Sequence, residues 1–480
     1  MWRVRAVIHV FFTAALSFTA LPAAADCKDP FADPDDVLDF HLQTTSASWE
    51  AFKISQSDGC DDQYPYFAAE FRCGDEEPYI AIEFRRKRDR SETRQKLPIK
   101  LDFNRSVSGQ RWPQTSGNLG FRKLTLNSGQ SDDAGRTGFG PANPGTLSAL
   151  LTEHLAWRLM REVLPEASRV AYARLTLHFS DTGAQQYQGL YVLIEDIDRT
   201  AVRARFATDQ GLLVKTTDLA CADEVVFDDG PPNVAGELFS SWLALDPESF
   251  PDSWYDRTDE AMHLDPLLRQ EALRELLANT ADTVLGNRNN YFALDLQGDR
   301  RMYLPWDLDD MFRPFPQVRA PDTPLVRNCT GGSGCRLNTL GLNVRDNAQI
   351  RPRYLEAMCQ LSQGLASESK LLAQLEALDA LVRPIVATEV GPVWAASGRD
   401  PLDAGTAGTY ASEFERMKTW IPARIQAVRA LIEAEGVSCP SSCQQGDTAS
   451  CDFGGVSGQR VCTGGSWSAC LAPSPNEAGN

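Results

Sequence analysis

The stretch that most constrains the fold of this chain runs from residue 282 to residue 310 and reads DTVLGNRNNYFALDLQGDRRMYLPWDLDD. Residues 291–295 are rich in strand-forming side chains, and residues 297–299 are typical of a turn. Residues 302–304 can then return as a second strand. Because a β-hairpin brings its two ends together, the polar residues on either side of it are expected to meet.

Asp282 and, five positions later, Asn287 precede the predicted hairpin, whereas Asp307 and Asp309 follow it. Three carboxylates and an amide at one place suit a hard cation such as Mg²⁺. Protein kinases place a catalytic Asp, an Asn at the same spacing, a short hairpin and a metal-binding Asp in this order. The alternative is ordinary, because turns are rich in Asp and Asn and acids at a strand end are commonly solvated.

Two strand patterns with basic residues lie upstream. Residues 79–84 alternate as a strand and lead into a basic run at residues 85–91. Residues 97–103 predict another strand, with Lys100 on its polar face. Both features are commonly solvated, and the functional alternative is a loop and a lysine that face phosphate groups.

Three further phrases stand out: GFRKLTLN at residues 120–127, GLYVLIEDID at 189–198 and GLLVK at 211–215. Glu195 lies at the end of the second phrase, which predicts an apolar strand. A carboxylate in that position either has a Lys or Arg partner or marks an exposed strand end.

Together these phrases resemble the CotH kinase family, the atypical protein kinases named after a spore-coat protein. The resemblance spans residues 78–430 and includes the PWDLD phrase at 305–309. The chain departs from the family pattern in two places. It has no glycine between Gly74 and Gly109, where the family carries one beside its basic loop, and Val214 replaces a Tyr.

The resemblance implies an α+β protein with an atypical protein-kinase-like fold. Its N-terminal lobe would be a mostly antiparallel sheet, its C-terminal lobe would be helical, and a small Cys-rich segment would follow. The helix predicted over residues 146–164 would take the αC position of a kinase, although the sequence assigns a pairing role to neither Glu153 nor Glu162.

The same resemblance implies roles for individual residues, with ATP and Mg²⁺ or Mn²⁺ as cofactors. Asp282 would be the catalytic residue. The implied metal ligands are Asn287, Asp307 and Asp309, and the implied nucleotide-binding residues are Lys100, Lys215 and Glu195. The strands of Glu195 and Lys215 are expected to share one nucleotide-facing sheet, and sequence alone does not decide which lysine contacts phosphate.

The net charge of −18 disfavours a nucleic-acid partner, because a polyanion would be repelled. A phosphate-bearing ligand must therefore be held by a local basic patch or by metal. Beyond the N-terminus, no apolar run is long enough for a transmembrane span, which needs about 18 residues. The oligomeric state is left open.

The N-terminus has the pattern of a signal peptide. Arg3 and Arg5 precede an apolar run at residues 6–18, and three alanines predict cleavage after Ala25. Cys27 raises the alternative of a lipid anchor, which the acidic residue before it disfavours. We therefore expect export to the periplasm, the cell surface or the medium.

The twelve cysteines suit disulfides in an oxidising compartment. Cys60 with Cys73, and Cys329 with Cys335, are plausible local pairs. Five cysteines crowd the tail, so one of them can pair with Cys359 or Cys221, upstream. A zinc site is the competing interpretation, but no histidine lies near the tail cluster.

Four segments are predicted: a signal peptide at 1–25, an irregular N-terminal extension at 26–77, a CotH kinase-like domain at 78–436, and a Cys-rich tail at 437–480. The domain should contain a helix that begins with Asp265 as cap, and later helices with buried stripes over residues 371–385 and 414–432.

The predicted function is an exported, ATP-dependent kinase-like enzyme that transfers the γ-phosphoryl group to Ser or Thr of an exported, Ser-rich protein. The alternative is a non-catalytic binding protein of the cell surface or envelope with the same fold. A metal-dependent hydrolase that uses Asp307 and Asp309 is a further rival, but it would require more ligands than this histidine-poor chain offers.

Overall fold

The structure is a computed structural model that describes residues 27–55, 64–75, 77–87, 96–113, 120–129, 149–215, 224–228, 254–278, 284, 291–296, 299–312, 339–389, 400–406, 409–437, 439, 446, 448–453, 456–463 and 466–467. The expected signal peptide lies outside these ranges, as do Asp282 and Asn287. So do Cys60, Cys329 and Cys335.

Seven strands of the N-terminal half close into a barrel in the order β1-β2-β3-β4-β5-β7-β6. Neighbours in this order pair antiparallel, except that β1 and β6 pair in parallel and so close the barrel. The strands are β1 (Val37–Thr44), β2 (Phe67–Cys73), β3 (Ile80–Arg86), β4 (Ile99–Asp102), β5 (Lys123–Asn127), β6 (Val170–Phe179) and β7 (Gln185–Glu195).

The expected N-terminal sheet is mostly antiparallel, and its closure into a barrel was not predicted. Strand β1 lies in the stretch expected to be irregular, although Leu38, Phe40 and Leu42 alternate there with polar residues. These three side chains are fully buried and pack with inward residues of the other strands. The α+β class is confirmed. The pairing of β1 with β6 joins residues far apart in the chain, which strand periodicity alone does not predict.

A second sheet has the order β11-β10-β8-β9 and carries the hairpin on which the sequence interpretation rests. Its strands are β8 (Gly211–Lys215), β9 (Glu224–Asp228), β10 (Tyr291–Leu296) and β11 (Met302–Pro305). The hairpin prediction is confirmed. The expectation that the strands of Glu195 and Lys215 share one sheet is wrong, because β7 belongs to the barrel whereas β8 pairs with β10.

The helices are α1 (Ser46–Lys53), α2 (Ala149–Val163), α3 (Arg199–Phe206), α4 (Trp254–Ala261), α5 (Leu264–Leu276), α6 (Thr339–Asp346), α7 (Ile350–Gln363), α8 (Glu368–Glu389) and α9 (Tyr410–Ala434). The predicted apolar stripes of α8 and α9 are buried. The predicted cap of α5 is wrong: His263 is the N-cap residue, and Asp265 instead lies in the first turn, 3.3 Å from Arg353.

One continuous core joins the barrel to the helical part. The outer face of β6 and β7 contributes Tyr172, Val192 and Ile194, which pack with apolar residues of α2. The same cluster continues through α5, the β10–β11 hairpin and α7 to α9. Helix α2 therefore lies between the barrel and the hairpin, and it positions side chains toward both.

Two disulfides join described cysteines, Cys27 with Cys73 and Cys359 with Cys439. The predicted pair of Cys60 with Cys73 is therefore wrong, whereas a bond from the tail to Cys359 is confirmed. Because the sulfur of Cys27 is bonded to Cys73, it is not available for a thioether lipid. Such bonds persist in oxidising compartments.

The tail contains a small sheet of β12 (Thr448–Phe453), β13 (Val456–Thr463) and β14 (Ser466–Trp467). Its independence from the preceding domain stays a prediction. Within the part of the chain that is described, no helix combines the length and apolarity that crossing a membrane requires.

Candidate functional site

The β10–β11 hairpin brings together the two strand ends beside which the acidic residues were expected to meet. Tyr291 at the start of β10 is paired with Pro305 at the end of β11. The chain before Tyr291 and the chain after Pro305 therefore leave the sheet at the same end. Asp307 and Asp309 follow directly, and Asp309 is 5 % exposed on a short 3-10 helix (Leu308–Asp310) that packs against α2.

A chain of polar contacts connects Val284 to this end of the hairpin. The backbone N–H of Val284 donates to Glu271 Oε1 at 3.4 Å, and Glu271 lies 3.8 Å from Arg274. Arg274 donates to the carbonyl oxygen of Trp306 at 3.1 Å. Val284, two positions from Asp282, is thus connected to Trp306, the residue before Asp307, whereas the meeting of Asp282 with Asp307 stays a prediction because Asp282 lies outside the described residues.

Asp307 is held in an unusual backbone conformation. Its φ of 55° and ψ of 64° are left-handed, a region that Asp tolerates better than most residues because its short side chain can bond locally. The preceding Trp306 is anchored by ring contacts with Trp157 of α2 and Phe292 of β10. The turn therefore aims the half-buried carboxylate of Asp307 away from the hairpin and toward the barrel.

Two lysines from different elements lie near the ring of Trp306, and one of them contacts the Asp307 carboxylate. Lys87, directly after β3, places its Nζ 3.5 Å from Asp307 Oδ1 and 5.8 Å from the centre of the Trp306 ring. Lys215 of β8 places its Nζ 6.0 Å from the same ring. The hairpin, the barrel and β8 thus bring a carboxylate and two ammonium groups to one place.

Glu153 of α2 completes the cluster from the other side. Its side chain is fully buried, and burial raises its pKa to about 7, while Lys87 lowers the pKa and Asp307 raises it. Asn127 and Trp157 direct polar groups toward it and lower the pKa further. Even so, neither carboxylate oxygen has a well-formed hydrogen bond with a described residue. A buried carboxylate in this state favours a nearby cation.

Lys100 lies on the same outer face of the barrel but in a different contact. Its Nζ is 2.8 Å from Asp196, whose other oxygen accepts from Thr125 at 2.6 Å. Burial alone would raise the pKa of Asp196, but Lys100, Thr125 and Lys123 together outweigh burial and the pKa is lowered. A phosphate role for Lys100 stays a prediction, and of the two candidate lysines Lys215 lies beside Trp306 and the Asp307 turn.

Glu195 has the basic partners expected of a buried strand-end carboxylate. Arg169 binds it in a bidentate pair at 2.9 and 3.0 Å, and Arg205 also donates to it. These contacts lie at the end of β7, next to α3. Its nucleotide-binding role stays a prediction.

The donor set fits a hard divalent cation in type. Asp307 and Asp309 supply carboxylate oxygens at the hairpin end, and Asp282 with the amide of Asn287 would supply the rest from the adjoining loop. The described residues alone contain no group of three or more His, Cys, Asp or Glu side chains arranged to hold a metal. The Lys87 contact shows instead that the Asp307 carboxylate already attracts positive charge.

Sequence reasoning did not identify the roles of Lys87, Glu153 and Asn127. Lys87 was one of several cations in a basic run, and Glu153 was one of two acids on a predicted helix. The signal that could have distinguished Glu153 is its position on the apolar face of α2, next to Trp157, where an acid needs compensation. Nothing in the local sequence separated Lys87 from its neighbours.

Comparison with known proteins gives a family match. A family model described as CotH kinase protein matches residues 120–428, which run from the residues just before β5 to α9. The match begins after β1–β4 and after Lys87. No curated protein matches the chain.

Proposed function

The chain belongs to the CotH kinase protein family, and on this premise we propose that it transfers the γ-phosphoryl group of ATP to a Ser or Thr hydroxyl of an exported protein. The observation that carries the proposal is the cluster of Lys87, Glu153 and Asp307, which barrel, helix and hairpin bring together. A cation between a helix acid and an acid that follows a hairpin is the charge arrangement of protein kinases.

In this proposal the lysines hold the phosphates of ATP. Lys87 and Lys215 supply positive charge near the Trp306 ring, in a protein whose net charge is strongly negative. Glu153, buried on α2, would keep the Lys87 ammonium beside Asp307, where we place the proposed ATP cleft. Most of the rate acceleration would come from positioning and charge neutralisation.

Asp282 would orient the acceptor hydroxyl and accept its proton. The acceptor oxygen forms a bond to the γ-phosphorus, the bond from that phosphorus to the bridging oxygen breaks, and ADP leaves with the electron pair. Asn287 and Asp307 would hold Mg²⁺ or Mn²⁺, with Asp309 as a further ligand or as an acid behind the site. The bound cation would supply charge neutralisation for the phosphate oxygens.

The compartment and the acceptor are part of the proposal. The two disulfides are compatible with an extracytoplasmic protein, and an exported, Ser-rich protein is the proposed substrate. The alternative is a non-catalytic surface protein with the same fold, and the experiment below distinguishes it from a kinase.

The test measures ATP binding and phosphoryl transfer separately, with and without Mg²⁺, on the full chain. Asp307→Ala should remove metal-dependent ATP binding as well as transfer, because it deletes the partner of Lys87 and a predicted ligand. Asp282→Ala should leave ATP binding nearly unchanged and lower transfer by about a hundredfold or more. Calorimetry reports the binding, and labelled γ-phosphate incorporation reports the transfer.

Asp299→Ala is the matched control, because this acid lies beyond β10 at the opposite end of the same hairpin, in contact with His263. It should change neither quantity. ATP binding without transfer to any Ser-rich acceptor would favour the non-catalytic alternative. Unimpaired transfer in Asp282→Ala would refute the mechanism.

A further inference from the structure

A pocket lies at the end of the barrel opposite Lys87. We call it the Arg122 pocket. It is formed by the residues before and at the start of β5, by the end of β7 and by the first turns of α3. Its lining residues are Gly120, Phe121, Arg122, Lys123, Arg169, Glu195, Asp196, Asp198, Thr200, Ala201 and Ala204.

The carboxylates of the Arg122 pocket are already satisfied. Glu195 is bound by Arg169 and Arg205, and Asp196 by Lys100. Asp198 caps α3 by accepting from the backbone N–H groups of Thr200 and Ala201 at 2.7 and 3.1 Å. Glu195 and Asp196 are thus paired with cations, whereas Asp198 is held by backbone N–H groups and attracts Arg111 and Arg122 from a distance.

Two arginines have no carboxylate of a described residue within ion-pair distance: Arg122, which lines the pocket, and Arg111, which reaches it through Thr200. Arg122 and Arg111 make no ion pair with any carboxylate among the residues that the structure covers, and Arg111 donates instead to the hydroxyl of Thr200. The Nε of Arg122 is buried without a hydrogen-bond partner. Burial lowers the pKa of Arg111, the nearby Asp198 carboxylate raises it, and the cations Arg122 and Arg203 lower it. Two cations that disfavour one another mark a place for an anion.

The local charge balance also favours an anion. The lining residues and the charged groups bonded to them comprise six cations and four carboxylates. The excess of two positive charges stands in a chain of net charge −18. A phosphate monoester carries nearly two negative charges at neutral pH and accepts the forked hydrogen bonds of arginine. Phosphate therefore matches the pocket better than a single carboxylate.

Strand β5 connects the Arg122 pocket with the proposed cleft. Lys123 lines the pocket at one end of β5, and Asn127, beside Glu153, ends the same strand. Four residues of strand cover about 13 Å. An extended peptide covers a similar distance with about four residues.

We propose that the Arg122 pocket binds the phosphate group of an already phosphorylated acceptor segment, about four residues from the hydroxyl that enters the cleft. The assignment of the acceptor rests on the proposed function, whereas phosphate binding does not. Phosphorylation of one serine in a Ser-rich segment would then favour phosphorylation of another at a fixed spacing.

The first experiment measures binding alone, by calorimetry on the full chain, with inorganic phosphate and with a phosphoserine peptide as probes. Arg122→Gln and Arg111→Gln should each weaken binding of the phosphopeptide by about tenfold or more, since a charge-assisted arginine contact is lost. Arg105→Gln is the control, because Arg105 is half-exposed on the same barrel and paired with Glu83 at 2.7 Å. Thermal unfolding of each variant verifies that it is folded.

Equal binding by Arg122→Gln, Arg111→Gln and Arg105→Gln would overturn the proposal. Binding of inorganic phosphate with no gain from the peptide would overturn the acceptor assignment and leave a site for free phosphate. The unphosphorylated peptide should not bind to the pocket.

The second experiment measures transfer to Ser peptides with a phosphoserine four residues before or after the acceptor, or with none. One of the two phosphopeptides should have a KM about tenfold lower than the unphosphorylated peptide, and Arg122→Gln should abolish this advantage. Equal KM values in the wild type would overturn the acceptor assignment. If the phosphopeptide binds through the arginines but no peptide is phosphorylated, phosphate binding by the Arg122 pocket stands and the proposed function is overturned.

Discussion

At the scale of single residues, Glu195 shows how a buried acid is held ionised. Burial alone would raise its pKa, but Arg205 and Arg169 outweigh the burial and hold the pKa below its ordinary value. A group whose pKa is lower in the folded state stabilises the fold above its unfolded pKa. That stabilisation is lost as the pH falls through the folded pKa.

We therefore predict a pH-dependent effect of Glu195→Gln. At pH 7 the variant should lose about 3 kcal/mol of the free energy of unfolding, because two arginines are left without their acid in a buried place. The difference from wild type should begin to shrink as the pH falls below about 4, where Glu in the unfolded chain is protonated, and should be lost as the pH falls through the lower pKa of the folded protein. Denaturant unfolding at pH 7 and at acid pH measures both.

Glu83→Gln is the control for this prediction. Glu83 also pairs with an arginine, but Arg105 is half-exposed, so the loss should stay below about 1 kcal/mol. A loss that is the same at neutral and acid pH would show that Glu195 contributes by packing and not by its charge.

At the scale of elements, a buried contact fastens the barrel to the helical part. Glu389 at the end of α8 is fully buried and accepts from the backbone N–H of Leu190 in β7 at 2.5 Å. Lys96 lies 3.9 Å from the same carboxylate and also donates to the carbonyl oxygen of Leu190. Lys96 and Glu389 are each far from β7 in the sequence. Their contacts therefore hold the end of α8, the segment of Lys96 and strand β7 together.

Gly189 permits this close approach, and we predict that Gly189→Ala destabilises the fold by about 3 kcal/mol or more. Its φ of 93° disfavours other residues, and a Cβ there would lie 2.7 Å from Glu389 Oε2. Both effects displace a buried carboxylate from its partners. The free energy of unfolding, measured in denaturant, reports the loss.

Gly183→Ala separates the two effects, because Gly183 has a φ of 72° and no atom within 4 Å of the added Cβ. It should cost about 1 kcal/mol, the cost of the backbone conformation alone. Equal losses in the two variants would contradict the claim that crowding against Glu389 matters.

At the scale of the whole molecule, a disulfide fastens the start of the tail to the body. Cys439 is bonded to Cys359 of α7, closing a loop with a sequence separation of 80 residues. Val437 and Cys439 also pack against the main core. The compositional break at residue 437 thus does not coincide with the last residue that contacts the body.

We predict that a chain ending after Cys439 binds ATP with unchanged affinity, because the residues proposed to hold ATP all precede it. A chain that ends before Cys439 should bind as well at low temperature but unfold at a lower temperature. The loss of the cross-link costs about 2–4 kcal/mol. Calorimetry and thermal unfolding measure the two quantities, and lost affinity in a folded chain ending after Cys439 would contradict the prediction.

The sequence by itself determined the local elements of this protein. The hairpin over residues 291–305, the helix that became α2 and the buried stripes of α8 and α9 all follow from periodicity and turn residues. These signals are local, because each depends on side chains a few positions apart. The sequence phrases shared with the family are local signals of the same kind. The nearness of the two hairpin ends also follows from local sequence, because a short turn joins the two strands.

Only the tertiary structure decided which charged residues meet. Lys87 and Asp307 are 220 positions apart in the chain, and Glu153 reaches them from a third element. The parallel pairing of β1 with β6 and the disulfide of Cys27 with Cys73 also join residues that are far apart in the chain. One lysine in a basic run resembles the next in sequence, and long-range packing is what selects a partner for it.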